Sequence, residues 1–177
     1  MRVSVYIATS LDGYIARPNG DIDWLTEGAE LPGEDFGYAA FMATVDALVM
    51  GRRTYEKALS FDPWPYAGKR VVVLSTGSPA VPAALAGSVE VASLPPEVLV
   101  ERLSREGVSH VYLDGGATIQ GFLAAGMIDE ITLTRIPVLL GEGIPLFGHL
   151  ARDVRLEHVE TRAFANGFVQ SRYRVSS

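Results

Sequence analysis

Two loops of this 177-residue chain combine glycine with groups that bind anions. In the first loop, Gly51 precedes Arg52, Arg53 and Thr54 at the start of a predicted helix. Backbone amides at a helix N-terminus, paired guanidinium groups and a hydroxyl are the donors that a phosphate requires. The sequence therefore allows a phosphate site here, and two ordinary surface arginines after a turn are the alternative.

The second loop lies within residues 113–118 and carries the pair Gly115–Gly116 between a predicted strand and a predicted helix. Such a junction can present a helix N-terminus to a pyrophosphate, although a tight turn would use the same glycines. Neither the G-x-G-x-x-G fingerprint nor a P-loop is present. Ser75 and Thr76 follow a third predicted strand. Because parallel strands gather their carboxyl ends at one edge, three such loops together favour a nucleotide crevice.

One carboxyl group is a candidate for proton transfer. Asp35 stands at the head of a predicted, largely apolar helix over residues 35–44. A carboxyl group held against apolar surface has a raised pKa and can relay a proton. Simple capping of the helix is the alternative.

The composition excludes several other chemistries. The chain has no cysteine, which excludes thiolate nucleophiles, disulfides and cysteine-bound metals, and its three histidines lack metal-ligand spacing, so we expect no metal site. Its 15 basic and 21 acidic residues give a net charge of −6, which argues against a nucleic-acid partner. The sequence has no run of about 18 apolar residues, which is the length that a membrane-spanning helix needs. The N-terminus is typical of a first strand rather than a signal peptide, and we therefore expect a cytoplasmic protein.

Alternating strand and helix patterns must position these loops. Strands are predicted over residues 3–7, 46–50, 70–74, 88–92, 109–113 and 130–136, and helices over residues 35–44, 54–59, 96–105 and 117–125. Two longer strands follow over residues 154–164 and 168–175, joined by the hairpin signal Asn166–Gly167. The pattern predicts one α/β domain over residues 1–177, with a mixed sheet, helices on its faces and an antiparallel hairpin at its end.

Four motifs in this order resemble the dihydrofolate reductase-like superfamily. They are Asp12-Gly13-Tyr14-Ile15-Ala16 and the stretches over residues 46–56, 113–116 and 136–147. Within the superfamily, the chain is most similar to stand-alone relatives of the reductase domain of the bifunctional riboflavin-biosynthesis deaminase-reductases. The deaminase half has no counterpart, because its zinc requires cysteine ligands.

The resemblance implies a central, mostly parallel sheet and an NADPH-dependent reductase. Residues that would line the cofactor, from the nicotinamide through the phosphates to the adenosine and the pyrophosphate, are Ala8, Ile15, Gly51, Arg52, Arg53, Thr54, Ser75, Thr76, Gly115, Gly116, Ala117, Thr118 and Ile119. Of these, Arg52 and Thr76 would face the 2′-phosphate of the adenosine. The loop around Asp12 and Asn19 would close over the nicotinamide.

The resemblance also implies a substrate side. Asp35 and Thr134 fall where dihydrofolate reductases place the acid and the threonine that bond the pterin, so a hydrogen-bonded Asp35–Thr134 pair is the predicted proton path. The residues after Phe36 are unlike those of a folate site. The expected function is hydride transfer to a C=N or C=O carbon of a small heterocyclic or sugar-linked substrate, similar to 5-amino-6-(5-phosphoribosylamino)uracil reductase. A non-catalytic NADP(H)-binding module and a dihydrofolate reductase are the alternatives, and relatives suggest a homodimer.

Charge bears on the choice of substrate. Beyond the arginines assigned to the cofactor, Arg17 is the basic residue expected near the nicotinamide, whereas acidic side chains surround the mouth of the pocket, namely Asp21, Asp23, Glu34 and Glu142. An acidic mouth repels a phosphate ester. We therefore expect weak activity on a phosphorylated substrate.

Overall fold

The computed structural model describes residues 1–26 and 31–176 and is built around an eight-stranded sheet. The strands are β1 (Arg2–Ser10), β2 (Tyr14–Ala16), β3 (Ala47–Gly51), β4 (Arg70–Leu74), β5 (Val89–Ala92), β6 (His110–Asp114), β7 (Glu130–Ile136), β8 (Ile144–Pro145), β9 (Leu156–Ala163) and β10 (Val169–Val175). The helices are α1 (Asp23–Thr26), α2 (Tyr38–Thr44), α3 (Arg52–Leu59), α4 (Pro96–Arg105) and α5 (Gly116–Ala124).

The order of strands in the large sheet is β5-β4-β3-β6-β1-β7-β10-β9. The first six of these pair in parallel, whereas β10 is antiparallel to both β7 and β9. Strands β2 and β8 form a separate antiparallel pair. This arrangement confirms the predicted mixed, mostly parallel sheet that ends in an antiparallel hairpin.

The two faces of the sheet bury different sets of side chains. On one face, Leu99 of α4 and Ile119 and Phe122 of α5 pack against the valines of β1, β3 and β6. On the other face, Tyr55 of α3 packs against Tyr112 and the remaining side chains of the central strands. Burial on both faces explains why the central strands are continuous apolar runs.

The first long helix begins later than the sequence pattern predicts. Helix α2 starts at Tyr38 rather than at Asp35, because Phe36 and Gly37 take left-handed backbone angles with φ of 59° and 87°. A non-glycine residue in this region is uncommon and breaks helical geometry. The short elements β2, α1 and β8 were not predicted, since two to four residues carry no periodic pattern. In the described part of the chain, no helix is long and apolar enough to cross a membrane.

Candidate functional site

A cleft of about 1170 Å³ lies where the carboxyl ends of β1, β3 and β6 meet the helices that follow them. The parallel sheet directs these strand ends to one edge, as the loop pattern predicts. The predicted cofactor residues that line the cleft are Ala8, Ile15, Gly51, Arg52, Arg53, Thr54, Gly115, Gly116, Ala117 and Thr118. The structure therefore brings both glycine loops into one cleft.

The remaining three predicted cofactor residues lie in two different places. Ser75 and Thr76 line an adjoining groove of about 450 Å³, which shares Leu74 with the main cleft, so they extend the site past β4. Ile119 does not line either cavity. Its side chain is 0% exposed in the core, and its amide donates to the Gly115 carbonyl at 2.9 Å. The assignment of Ile119 to the cofactor is therefore wrong, because helical periodicity turns it inward.

Two helix N-termini open into the cleft without side-chain caps. Helix α3 begins after Gly51, and α5 begins after Gly115, and neither glycine has a side chain that could cap the first turn. Uncapped amides and the positive end of the helix dipole attract anions. With Arg52 and Arg53 on the first turn of α3, this donor set fits the phosphates of a dinucleotide.

Close backbone approach makes room for such a group. A Cβ atom on Gly115, where φ is 92°, would lie 2.2 Å from the Thr54 hydroxyl oxygen. A Cβ atom on Gly116 would lie 2.9 Å from Cδ1 of Ile15. Gly115 is favoured by both its positive φ and its contact with Thr54, whereas a side chain at Gly116 would require Ile15 to shift.

Two of the sequence motifs meet in the wall of the cleft. The Asp12 carboxylate accepts hydrogen bonds from the amides of Leu140 and Gly141 at 3.2 and 2.8 Å. This contact ties the turn after β1 to the segment before β8. Strands β2 and β8 then pair, and they place Ile15 and Ile144 against the cleft. The pairing explains why the motif around Asp12 and the motif over residues 136–147 occur together.

The loop after β2 covers the other side of the cleft. Asn19, Gly20 and Ile22 of this loop line the cleft together with Leu25 of α1, whereas Asp12 does not. That the loop around Asp12 and Asn19 closes over a nicotinamide stays a prediction. An ion pair of 3.8 Å joins Asp21 of the loop to Lys57 of α3.

The structure does not support the predicted proton path through Asp35. The exposed Asp35 carboxylate accepts hydrogen bonds from the amides of Ala39 and Gly37, both at 2.9 Å. These bonds, with that from Ala39 foremost, lower the pKa of Asp35 rather than raising it. Asp35 therefore stabilises the start of α2, which is the capping alternative.

Thr134 has a different partner from the one predicted. Its buried hydroxyl accepts a hydrogen bond from Nε2 of Gln170 at 3.0 Å. The same Gln170 amide contacts the Tyr6 hydroxyl at 3.0 Å and the Phe36 carbonyl at 3.1 Å. The predicted Asp35–Thr134 hydrogen bond is wrong, because the left-handed turn at Phe36 presents its carbonyl to Gln170 and Tyr6.

Asp114 is an acid that the sequence reasoning left without a role. It is the last residue of β6, it lines the cleft, and its carboxylate accepts hydrogen bonds from the Tyr66 hydroxyl at 3.2 Å and the Gly115 amide at 2.8 Å. Tyr112 and Tyr6 line the same cleft, and the Tyr112 hydroxyl donates to the Tyr6 carbonyl at 3.0 Å. We call Tyr6, Tyr66, Tyr112 and Asp114 the tyrosine–aspartate cluster.

Burial sets the protonation of this cluster. Enclosure by protein raises the pKa of Asp114, and the hydrogen bonds from Tyr66 and Gly115 offset only part of this effect. Burial also raises the pKa of Tyr38, which lies beside the cluster, to about 12, and the charge of Asp114 adds to the increase. A cleft acid with a raised pKa is a candidate proton donor.

Comparisons with known proteins agree with this geometry. Residues 2–170 match the family described as the RibD C-terminal domain. The chain is 40% identical over 172 residues to the uncharacterized protein YwjB of Bacillus subtilis, which covers 96% of this chain and 95% of the relative. A solved protein of Shewanella sp. PV-4, described as belonging to riboflavin biosynthesis, is 40% identical with a TM-score of 0.94 and full coverage of both chains.

A more distant structure shares the fold. The diaminohydroxyphosphoribosylaminopyrimidine deaminase/5-amino-6-(5-phosphoribosylamino)uracil reductase of Thermotoga maritima superposes with a TM-score of 0.76 at 18% identity. The match covers 99% of this chain and 56% of that one.

The glycine cradle is testable by a single methyl group. We expect Gly115→Ala to weaken NADPH binding by tenfold or more and to destabilise the protein by about 2 kcal/mol, because the new Cβ meets Thr54 and φ is positive. Gly87→Ala is the control, since no atom lies within 4 Å of its Cβ position. Titration of NADPH by fluorescence and thermal unfolding measure both effects. An unchanged affinity in Gly115→Ala would contradict the cradle.

Proposed function

We propose that this chain, which belongs to the RibD C-terminal domain family, is an NADPH-dependent reductase that acts on a C=N or C=O bond of a small heterocyclic or sugar-linked compound. Its fold is that of the dihydrofolate reductase-like superfamily. The observation that carries the proposal is one cleft that is lined by the starts of α3 and α5, by Arg52 and Arg53, and by the acid Asp114 at the end of β6.

The cofactor half of the cleft consists of loops that follow neighbouring parallel strands. The amides at the starts of α3 and α5 would hold the phosphates, and Arg52 and Thr76 would contact the 2′-phosphate from the ends of β3 and β4. Ala8 and Ile15 would form the apolar wall for the nicotinamide. When bound, NADPH supplies the hydride.

The chain must supply the proton. Hydride addition to a C=N or C=O carbon leaves negative charge on the nitrogen or oxygen, and a proton must reach that atom. Asp114 is suited to donate it, because burial raises the pKa of its carboxyl group and because it lines the same cleft as Ala8. The Tyr66 hydroxyl holds the carboxyl group in place and stabilises it after the proton has left.

The dihydrofolate reductase alternative depends on an acid at Asp35. Because the Asp35 carboxylate is exposed and engaged by the amides of Gly37 and Ala39, it is not available to a pterin in the cleft. We therefore favour a reductase of the RibD type with a substrate other than dihydrofolate.

Cofactor choice provides the first test. NADPH should bind about tenfold more tightly than NADH, since a charge-assisted hydrogen bond contributes about 1.5–3 kcal/mol and the side chain of Arg52 is 56% exposed, which favours the lower figure. Arg52→Ala should remove most of this preference. The matched control is Arg105→Ala, because Arg105 forms a similar surface pair with Glu101 at the far end of α4. Equal affinities for the two cofactors in the unmodified protein would exclude the assignment.

Turnover provides the second test, on any substrate that oxidises NADPH. Asp114→Asn should lower kcat by about a hundredfold or more, the range expected for loss of a general acid, and should change the dissociation constant of NADPH by less than about twofold. Asp35→Asn removes the other candidate acid and should change kcat by less than about threefold. In the unmodified enzyme, kcat/KM should fall as the pH rises through the pKa of Asp114, because only the protonated acid donates. A larger loss of kcat in Asp35→Asn than in Asp114→Asn would show that Asp35 is the proton donor.

Stability provides a third test that needs no substrate. The pKa of Asp114 is raised in the folded protein above its ordinary value of 3.8, so ionisation at neutral pH opposes folding. Asp114→Asn should therefore raise the Tm at pH 8, and its advantage should shrink as the pH falls toward 4. Asn retains an oxygen that can accept from the Gly115 amide. A lower Tm for the variant at pH 8 would show that the charged form is favoured.

A further inference from the structure

We propose that the substrate end of this cleft takes an uncharged ring compound and discriminates against phosphate esters. The proposal rests on the proposed function, because it names the substrate class of that same site. Two observations carry it, namely the make-up of the tyrosine–aspartate cluster and the positions of the positive charges.

The substrate end presents aromatic and apolar surface with one acid. Tyr6, Tyr66 and Tyr112 line it together with Ala8 and with Leu25 of α1. The Tyr66 and Tyr112 hydroxyls already donate to Asp114 and to the Tyr6 carbonyl. The rings of Tyr66 and Tyr112 are buried, so the partly exposed side chains of Tyr6, Ala8 and Leu25 remain for contact with a substrate. Apolar surface of this kind favours an uncharged ring.

The positive charges of the cleft lie elsewhere. Arg52, Arg53 and Lys57 are the basic residues among those that line it in the described part of the chain, and all three are on α3 at the phosphate end. Arg52 is 3.7 Å from Glu56, and Lys57 is paired with Asp21. Residues 27–30 are Glu, Gly, Ala and Glu, so they contribute no basic side chain.

Two further arginines, Arg17 in the loop after β2 and Arg162 in β9, each form an ion pair with an acid. Arg17 contacts Asp23 at 2.6 Å. Arg162 of β9 contacts Glu34 at 2.8 Å and lies over the ring of Phe164. Neither arginine lines the cleft, and each already has an acidic partner.

A phosphate group at this end would lose water without gaining a cation. Transfer of a charged group into an enclosed site is unfavourable unless an opposite charge compensates, and Asp114 adds repulsion when it is ionised. A neutral ring compound has no such penalty. The chain thus shares a family with phosphoribosyl-substrate reductases but lacks a cationic site for their phosphate among its described residues.

A matched pair of ligands tests the proposal. The protein is first loaded with NADP⁺, so that the anion-binding loops are filled, and is then titrated with 5-amino-6-(5-phosphoribosylamino)uracil and with its dephosphorylated form. We expect the dephosphorylated form to bind at least tenfold more tightly. Equal affinities, tighter binding of the phosphate ester or failure of both compounds to bind would each overturn the proposal.

A variant pair tests the physical cause. Leu25→Arg adds a positive charge at the substrate end and should shift the ratio of the two dissociation constants toward the phosphate ester by about tenfold, whereas the uncharged control Leu25→Gln should leave the ratio unchanged. An unchanged ratio in Leu25→Arg would contradict the electrostatic explanation. Both readouts are binding constants. If the preference holds while neither compound oxidises NADPH, the reductase proposal fails and the specificity of the cleft stands.

Discussion

The site depends on the close approach of Gly115 to Thr54, which the pairing of β3 with β6 makes possible. This approach brings the loop after β6 so close to the loop after β3 that a Cβ atom on Gly115 would lie 2.2 Å from the Thr54 hydroxyl oxygen. Since β3 and β6 are hydrogen-bonded neighbours in the sheet, helices α3 and α5 then begin side by side. Two neighbouring helix N-termini create a stronger positive field than either helix would provide alone. The acid at the end of β6 is held beside this field by the same backbone.

Local patterns were enough to predict much of this arrangement. The apolar runs of the central strands, the Asn166–Gly167 hairpin and the glycine loops depend on residues close in sequence, and the structure confirms them. The motif resemblance then placed Ala8 and Ile15 on the cleft although no local signal marks them. The resemblance also assigned Ile119 to the cofactor, although the helical spacing of this residue already indicated a place in the core.

The acids could not be assigned in this way. The pKa of Asp114 depends on enclosure and on Tyr66, which is 48 positions away in the chain, and in sequence an aspartate before two glycines is indistinguishable from a turn residue. Asp35 was misjudged for the opposite reason. Its partners lie two and four residues ahead, but they are within reach only because Phe36 and Gly37 turn left-handed. A backbone conformation of that kind on a phenylalanine has no signature in residue type.

The reacting groups and the residues that cover the cleft belong to different segments, and this separation has an evolutionary consequence. The acid and the glycine cradle lie at the ends of buried strands, where most substitutions would disturb the core, whereas Ile22 lies in the covering loop after β2 and Leu25 lies in α1 directly behind that loop. Substitutions in that loop can change which molecule is accepted without moving the groups that carry out the reaction. Proteins with this architecture can therefore diverge in substrate specificity while they keep the same reaction chemistry. Relatives with similar sheets need not share a metabolic role.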